Sequence, residues 1–430
     1  MTAPLKQERG FVLILSLLCI FLVTAFLASF FVIVSGGVKQ ATRMTDNMRA
    51  YYIADAGLTY GFTQLRNQAN PPDETLNYNN DKYYVDADKK RFGSYAVKIT
   101  NDGATSCRIY TLESRGVFGN ATKTLTLTAH TGSMAEWSYL SKSETSPALG
   151  KLWWVTGMVT SGKVHTNDQL NIFGNPDFEG PVSQTKTAIN YYHGGPPKDN
   201  PNFEEGITLG ASEIAFPSTT MLSPIQSGAS KDPKYSLKGE TSIVLNADGT
   251  MTVKNSGKTS TLPMPSSKAV YVADGNVNVQ GQLNGQLTIG TNSTITITED
   301  ITYKSNPRLP GSTSTDTLGL VAKGDVIISK NASPKNNGIE IDAYIVSTDG
   351  SFKVENYGTG FKGDMVQFGG LANSVCGPTG VVDSSGNVKA GYNQLQYYDE
   401  RFKKTAPPLF PPIRSTDGRA VYSRDSFSES

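Results

Sequence analysis

Residues Phe11–Val34 read FVLILSLLCIFLVTAFLASFFVIV, 24 residues without a charge. At 1.5 Å rise per residue such a stretch reaches about 36 Å, enough to cross a hydrocarbon core of ~30 Å. The apolar region of a cleaved signal peptide is shorter, about 7–15 residues, and is followed by a small-residue cleavage site. The segment 11–34 is therefore a transmembrane helix. Lys6 and Arg9 precede it, while Lys39, Arg43 and Arg49 follow it, so the distribution of positive charge alone does not orient the span. Orientation rests instead on ten residues before the span and almost 400 after it, the latter with the turn-rich composition of exported β domains. This reading places the N-terminus in the cytoplasm and the bulk of the chain outside it.

The helical pattern does not stop at the membrane. Met44, Met48, Tyr51, Leu58, Phe62 and Leu65 recur at three- and four-residue spacing, with Arg43, Asp46, Arg49 and Asp55 between them, as on an amphipathic helix. Residues 35–68 thus continue the first helix as far as about Arg66. The run Asn70-Pro71-Pro72 ends it, because proline lacks the N–H donor and pushes its predecessor out of the helical region.

Beyond the helix the composition predicts a mainly β protein. The chain holds 42 glycines among 430 residues, and Thr, Ser, Asn and Tyr abound after residue 90, as expected of short strands joined by tight turns. Lys+Arg 39 against Asp+Glu 38 leaves no basic block, which argues against nucleic acid as a partner. Residues 69–135 read as a small antiparallel β head packed on the helix, with alternating runs at 95–99, 107–113 and 123–128 and an Asn101-Asp102-Gly103 turn as the hairpin signal.

From 150 to 372 the strands become very short and are punctuated by Gly and Asn, as in Gly275-Asn276-Val277-Asn278-Val279 and Gly285-Gln286-Leu287-Thr288-Ile289. Strands this short bury a face only when stacked coil on coil. The expectation is an irregular right-handed parallel β-helix with an excursion at about 185–265 that includes a hairpin at 243–253; the alternative is a β-sandwich. Residues 373–430 read as a loop-rich, Pro-containing tail, expected to lie along the column and cover its last coil.

Lys6-Gln7-Glu8-Arg9-Gly10-Phe11, a basic leader ending in Gly before Phe and an apolar helix, resembles the processing site of type IV prepilins. Ala50-Tyr51-Tyr52-Ile53-Ala54-Asp55-Ala56-Gly57-Leu58 resembles the second half of the same helix in PilX-type minor pilins. The resemblance implies that residues 1–10 are a leader, that prepilin peptidase cleaves after Gly10, and that Phe11 becomes N-methylated. It also implies other pilin-like subunits and the inner-membrane assembly machinery as partners, and a single-pass location in the bacterial inner membrane with incorporation into a pilus.

One position departs from the family. Most pilins carry Glu at the fifth residue after cleavage, where Leu15 stands here. A carboxylate at membrane depth is costly and is normally kept for a partner. Its absence suits a low-copy subunit at a tip or in an initiating complex of a type IV pilus or type II secretion system. Residues 161–167 and the segment 397–412 also resemble an uncharacterised domain found behind PilX-like N-termini, which brings no known activity. The alternative from a different class is a static membrane-anchored solenoid that binds polysaccharide or a surface protein.

Constellations for chemistry are sparse. His130, His165 and His193 stand in separate contexts with no HExxH or CxxC, so no metal site is predicted. A solenoid polysaccharide lyase or hydrolase needs carboxylates clustered on one strand face, whereas Asp325, Asp342 and Asp349 occur singly. No catalytic residue and no cofactor is expected. Cys19 lies in the apolar segment, leaving Cys107 and Cys376 as the pair available for a disulfide, which the spacing neither requires nor forbids.

Overall fold

The computed structural model describes residues 8–68, 70–85, 91–103, 107–216, 221–332, 337–410, 413–415 and 419–429. Of the leader assigned to 1–10, all but the backbone of residues 8–10 lies outside this set. The chain is mainly β, with one long N-terminal helix and a small antiparallel sheet, as its sequence predicts.

Helix α1 spans Glu8–Asn67, 60 residues, with no proline within it to interrupt its hydrogen bonds. Its apolar half from Phe11 to Val34 packs against no other part of the chain. Polar side chains there are satisfied by the helix itself: Ser16, Thr24, Ser29 and Ser35 donate to the carbonyls of Leu13, Phe21, Ala25 and Val32 at 2.8–3.1 Å. Internal satisfaction of every polar group is what an apolar solvent demands.

The second half of α1 lies on a five-stranded antiparallel sheet. Strands β1 (Leu76–Val85), β2 (Arg91–Asn101), β3 (Ile109–Phe118) and β4 (Ala121–Thr131) follow one another in sequence order. The fifth, Tyr422–Glu429, comes from the far end of the chain and pairs with β4. Ala50, Ile53, Ala54, Leu58, Phe62 and Leu65 are buried against Val97, Ile99, Leu112, Leu125 and Leu127 of the sheet. Alternation along β3 and β4 turns one face of each strand to this core, the period-2 pattern of a sheet covered on one side.

Everything between β4 and that last strand is an insert. Its first strand, β5 (Tyr139–Ser143), starts a ladder in which Val164–Thr166, Val182–Gln184 and Ile207–Leu209 pair in parallel, one on the next. The chain then crosses to the opposite end of the same ladder. There Ser236–Lys238 pairs with Ala269–Ala273, followed by Gln286–Thr291, Thr317–Ala322, Ile339–Ser347 and Phe361–Val375, again all parallel. Phe361–Val375 closes back on β5, with Leu371 opposite Tyr139 and Asn373 opposite Ser141. The first and last rungs of the insert therefore meet in the middle of the ladder.

Further parallel pairings run through Val159–Thr160, Asp177–Phe178 and Asn202–Phe203, and through Thr241–Leu245, Val277–Leu283, Ile295–Tyr303, Val326–Ile328 and Phe352–Val354. A single apolar cluster runs through the insert, built from one Ile, Val or Leu after another at matching positions of successive strands.

Several boundaries differ from the expectation. Parallel pairing begins at Tyr139 rather than 150 and extends through Val388–Tyr398, which pairs with both Phe361–Val375 and Val159–Thr160. Asn202–Leu209 and Ser236–Leu245 belong to the ladders, so the excursion read as 185–265 shrinks to the crossover after Leu209, which carries helix α2 (Leu222–Ala229), and to the hairpin formed by Thr241–Leu245 and Thr250–Asn255 with Lys258–Pro263. Asp248 caps the turn of that hairpin, accepting from Thr250 N at 2.9 Å, and Gly249 takes φ +82°.

The segment 373–430, read as a loop-rich tail, contributes the strands 388–398 and 422–429 and a 3-10 turn at Glu400–Lys403. Its strand 388–398 stacks on residues 361–369 of the last rung, beside β5 on residues 371–375. From there it crosses the side of the ladder, where Pro408 O accepts from Thr288 and the Phe410 ring sits 5.2 Å from Tyr344, before returning to the head.

Candidate functional site

The residues on which the sequence reading places assembly lie on α1. Between Phe11 and Asp46 the helix carries no carboxylate, and its apolar side chains are bare, Phe11 68% and Leu15 50% exposed. At Leu15 the helix offers a branched alkyl group to whatever packs beside it, with no means of pairing an ammonium. Gly36 and Gly37 lie just beyond the apolar run with nothing from the rest of the chain within 4 Å. Each glycine in a helix interior costs about 1 kcal/mol relative to alanine, so the pair lowers the helix's own stability where its apolar half gives way to the docked half.

The docked half is held by close approach. A Cβ at Gly116 of β3 would fall 2.3 Å from Ala50 O and 2.4 Å from Ala54 N. Gly57 and Gly61 of the helix are hemmed in by the side chains of Ser114 and Val97. Small residues on both partners let backbone meet backbone, and the motif Ala50-Tyr51-Tyr52-Ile53-Ala54-Asp55-Ala56-Gly57-Leu58 supplies those on the helix. Arg49 stacks over Phe118 at 4.9 Å and Arg424 over Phe62 at 4.5 Å, clasping the helix from two strands. The helix end is pinned where Pro72 O accepts from Tyr110 Oη at 2.8 Å and from Arg108 at 3.0 Å.

The other residues singled out from sequence are kept apart by the fold. His165 is buried, with Nδ1 2.8 Å from Ser183 Oγ and Nε2 2.9 Å from Asn167 Oδ1, and burial lowers its pKa. It is a neutral structural group held by the side chains of Ser183 and Asn167. Asn167 in turn clamps the crossover, accepting from Ile214 N at 2.9 Å and donating to Ile214 O at 2.6 Å. His193 pairs with Asp199 at 3.0 Å, and His130 sits between Asp425 and Glu136 at 2.6 and 3.4 Å.

Asp325 accepts from Ser351 N and pairs with Lys353. Asp342 accepts from Tyr303 N at 2.9 Å and faces Arg308 at 3.3 Å, and burial pushes its pKa up to about 6. Asp349 is exposed. Among the described residues no three His, Cys, Asp or Glu side chains gather as metal ligands. Cys107 and Cys376 are both free. The Cys107 thiol neighbours Ala406 and Ser133, with burial raising its pKa to about 11, whereas the Cys376 thiol neighbours Tyr139 and Glu144, where burial also raises it.

Residues 91–186 match a family described as a domain of unknown function (DUF4900), a stretch running from β2 through the first rungs of the insert. No curated protein matches the sequence. Among solved structures, the competence-associated pilin ComZ from Thermus thermophilus aligns over 90% of this chain and 98% of its own, at 12% identity and a TM-score of 0.35. A likeness at that level defines neither the fold nor the role of this chain.

Proposed function

We propose that the chain is a minor pilin-like or pseudopilin-like structural subunit of a type IV pilus or type II secretion system, present in few copies. The observation that carries this reading is one continuous helix, bare and apolar in its first half and sunk into an antiparallel sheet in its second. A subunit of this design is stored in the inner membrane, N-terminus in the cytoplasm, and withdrawn from it by swapping lipid for the helices of other subunits. Prepilin peptidase and the assembly machinery are its partners in those steps. The parallel ladders of the insert are read as a β-solenoid displayed on the pilin-like head.

The mature chain is expected to begin at N-methyl-Phe11. Mass spectrometry of the N-terminal peptide from the native host decides this; an exported protein retaining Met1–Gly10 would leave a static membrane-anchored protein in place of a filament subunit.

Few copies are expected because of Leu15. An ammonium drawn into an apolar bundle without a counter-charge costs at least about 2.5 kcal/mol, and Leu15 offers no counter-charge to a neighbour. Immunogold labelling of sheared filaments should mark ends or nothing, and Leu15→Glu should not improve assembly. Regular labelling along the shaft would contradict it.

The insert is proposed to be without lyase or hydrolase activity, since Asp325 and Asp342 are each committed to backbone and cationic partners. Release of reducing or unsaturated sugars from pectin or alginate, abolished by Asp342→Asn, would show otherwise.

A further inference from the structure

The two ends of the parallel ladders are finished differently. At one end Thr241–Leu245 is overlaid by Thr250–Asn255 and then by Lys258–Pro263, an outer strand that is polar and almost wholly exposed. A polar terminal layer of this kind keeps a stacked column from adding to itself. At the other end the last coil has three sides, Asn190–Tyr191, Asn202–Phe203 and Ile207–Leu209, each paired with the coil beneath. Among the described residues no strand pairs with their outer edges. The inward row of this coil keeps the chemistry of the row below it: Tyr191 stands over Ile172, Ile207 over Val182, and Phe203 over Phe178 with ring centroids 5.1 Å apart. Ile172, Val182 and Phe178 are buried, whereas Tyr191, Phe203 and Ile207 are half-covered and Leu209 is 43% exposed. The column therefore stops on a bare apolar face whose outer backbone groups point away from the ladder, a surface that another strand completes.

We infer that this face binds the same face of a second copy of the chain, the two Ile207–Leu209 rungs pairing antiparallel about a two-fold axis at Thr208. The charges at the ends of the rung select this occupant. Glu204 and Glu205 stand exposed at its start, with Asp177 and Glu179 one coil below. Lys186 stands exposed at its finish, where Gly210 N donates to Lys186 O at 3.1 Å. Antiparallel pairing lays the start of each rung against the finish of the other, so the Glu204–Glu205 corner of each copy meets the partner's Lys186, once on either side of the axis. The same rotation carries Leu209 over the partner's Ile207 and Phe203 over the partner's Tyr191. A two-fold axis on Asn190–Tyr191 would set the acidic corner against itself, and one on Asn202–Phe203 pairs two residues where this pairs three. Because a two-fold contact occupies the face on both copies, it closes: the chain pairs and does not polymerise, in keeping with a subunit present in few copies. The face is one coil across, at the small end of specific interfaces, so the pair is a weak one in dilute solution.

The contact does not depend on the pilin-like reading and stands whether or not the chain is cleaved after Gly10. The test uses the full-length chain in detergent micelles. Sedimentation equilibrium should show monomer and dimer exchanging between about 1 and 100 µM. Leu209→Asp, and separately Glu204→Lys together with Glu205→Lys, should raise the dimer dissociation constant about tenfold or more at unchanged melting temperature. Adding Lys186→Glu to the two glutamate reversals should restore most of the affinity, which neither a loss of fold nor association through α1 would do. In a Cys19→Ser background, Thr208→Cys should give a disulfide-linked dimer on oxidation, since residues facing each other in an antiparallel pair have Cα atoms about 4.5–5.5 Å apart, within the reach of a disulfide. Lys258→Cys, at the polar end, should give none. A monomer throughout the concentration range would overturn the inference. So would a dimer indifferent to Leu209→Asp and to the charge reversals, or cross-linking of the Lys258→Cys variant in place of Thr208→Cys.

Discussion

Gly116→Val is expected to strip α1 from the head and cost about 3 kcal/mol or more of head stability. The glycine sits where β3 meets the helix backbone directly, with Ala50 O and Ala54 N 2.3 and 2.4 Å from the position a side chain would take. Backbone atoms cannot step aside as a flexible side chain can, so relief requires lifting the helix off the sheet. That movement uncovers Ile53, Leu58, Phe62 and Leu65, each worth about 1.5–3 kcal/mol when fully buried. Overpacking usually costs about 1–3 kcal/mol, and a clash between two backbones belongs at or above the upper end. Limited trypsinolysis reads the result, since a lifted helix should be cut after Arg49 and Arg66 while the insert stays intact. Gly132→Ala, which meets nothing nearer than 3.5 Å, should be nearly silent. Equal protease resistance of Gly116→Val and the parent would mean that the helix docks less tightly than these distances show.

The alternating stretches 95–99, 107–113 and 123–128 and the proline stop at Pro71-Pro72 were legible because helix, strand and turn each leave a local period. The small-residue run Ala50, Ala54, Gly57 was legible too, although only the fold shows that it answers Gly116 on β3. What the sequence conceals is order in space. Nothing local distinguishes Leu371–Val375 from any other short apolar strand, yet it is the one that pairs with β5. Residues 202–209 and 236–245 look like loop because rungs of two to five residues carry too few side chains for a period to emerge.

Removing residues 420–430 is expected to melt the head while leaving the insert folded, because the head's outer strand comes from the end of the chain. Tyr422–Glu429 covers the edge of β4 over the register from Thr131 to Leu125, and without it β4 presents unpaired N–H and C=O groups. Ala420 and Tyr422 leave the head core, where Tyr422 packs edge-on against Tyr110 at 5.7 Å, and Arg424 leaves the Phe62 ring. Loss of a large buried aromatic alone costs about 3–5 kcal/mol, comparable to the entire stability of a small sheet.

His130 adds a pH dependence to this strand. The Glu136 carboxylate 3.4 Å from its Nε2, and then the charge of Asp425 on the last strand, raise its pKa against an opposing effect of burial. A histidine raised in the folded state stabilises fully below its unfolded value of about 6.5 and stops doing so as pH rises through the folded value, so the strand is held more tightly in acid. Calorimetry of the truncated chain should show the head transition lost or moved far down in temperature, with that of the insert retained. In the full-length chain the head transition should fall as pH rises past neutrality, a slope that His130→Gln removes. A single transition unchanged by truncation would mean that β1–β4 and the helix are self-sufficient, and that the last strand is carried by the head without supporting it.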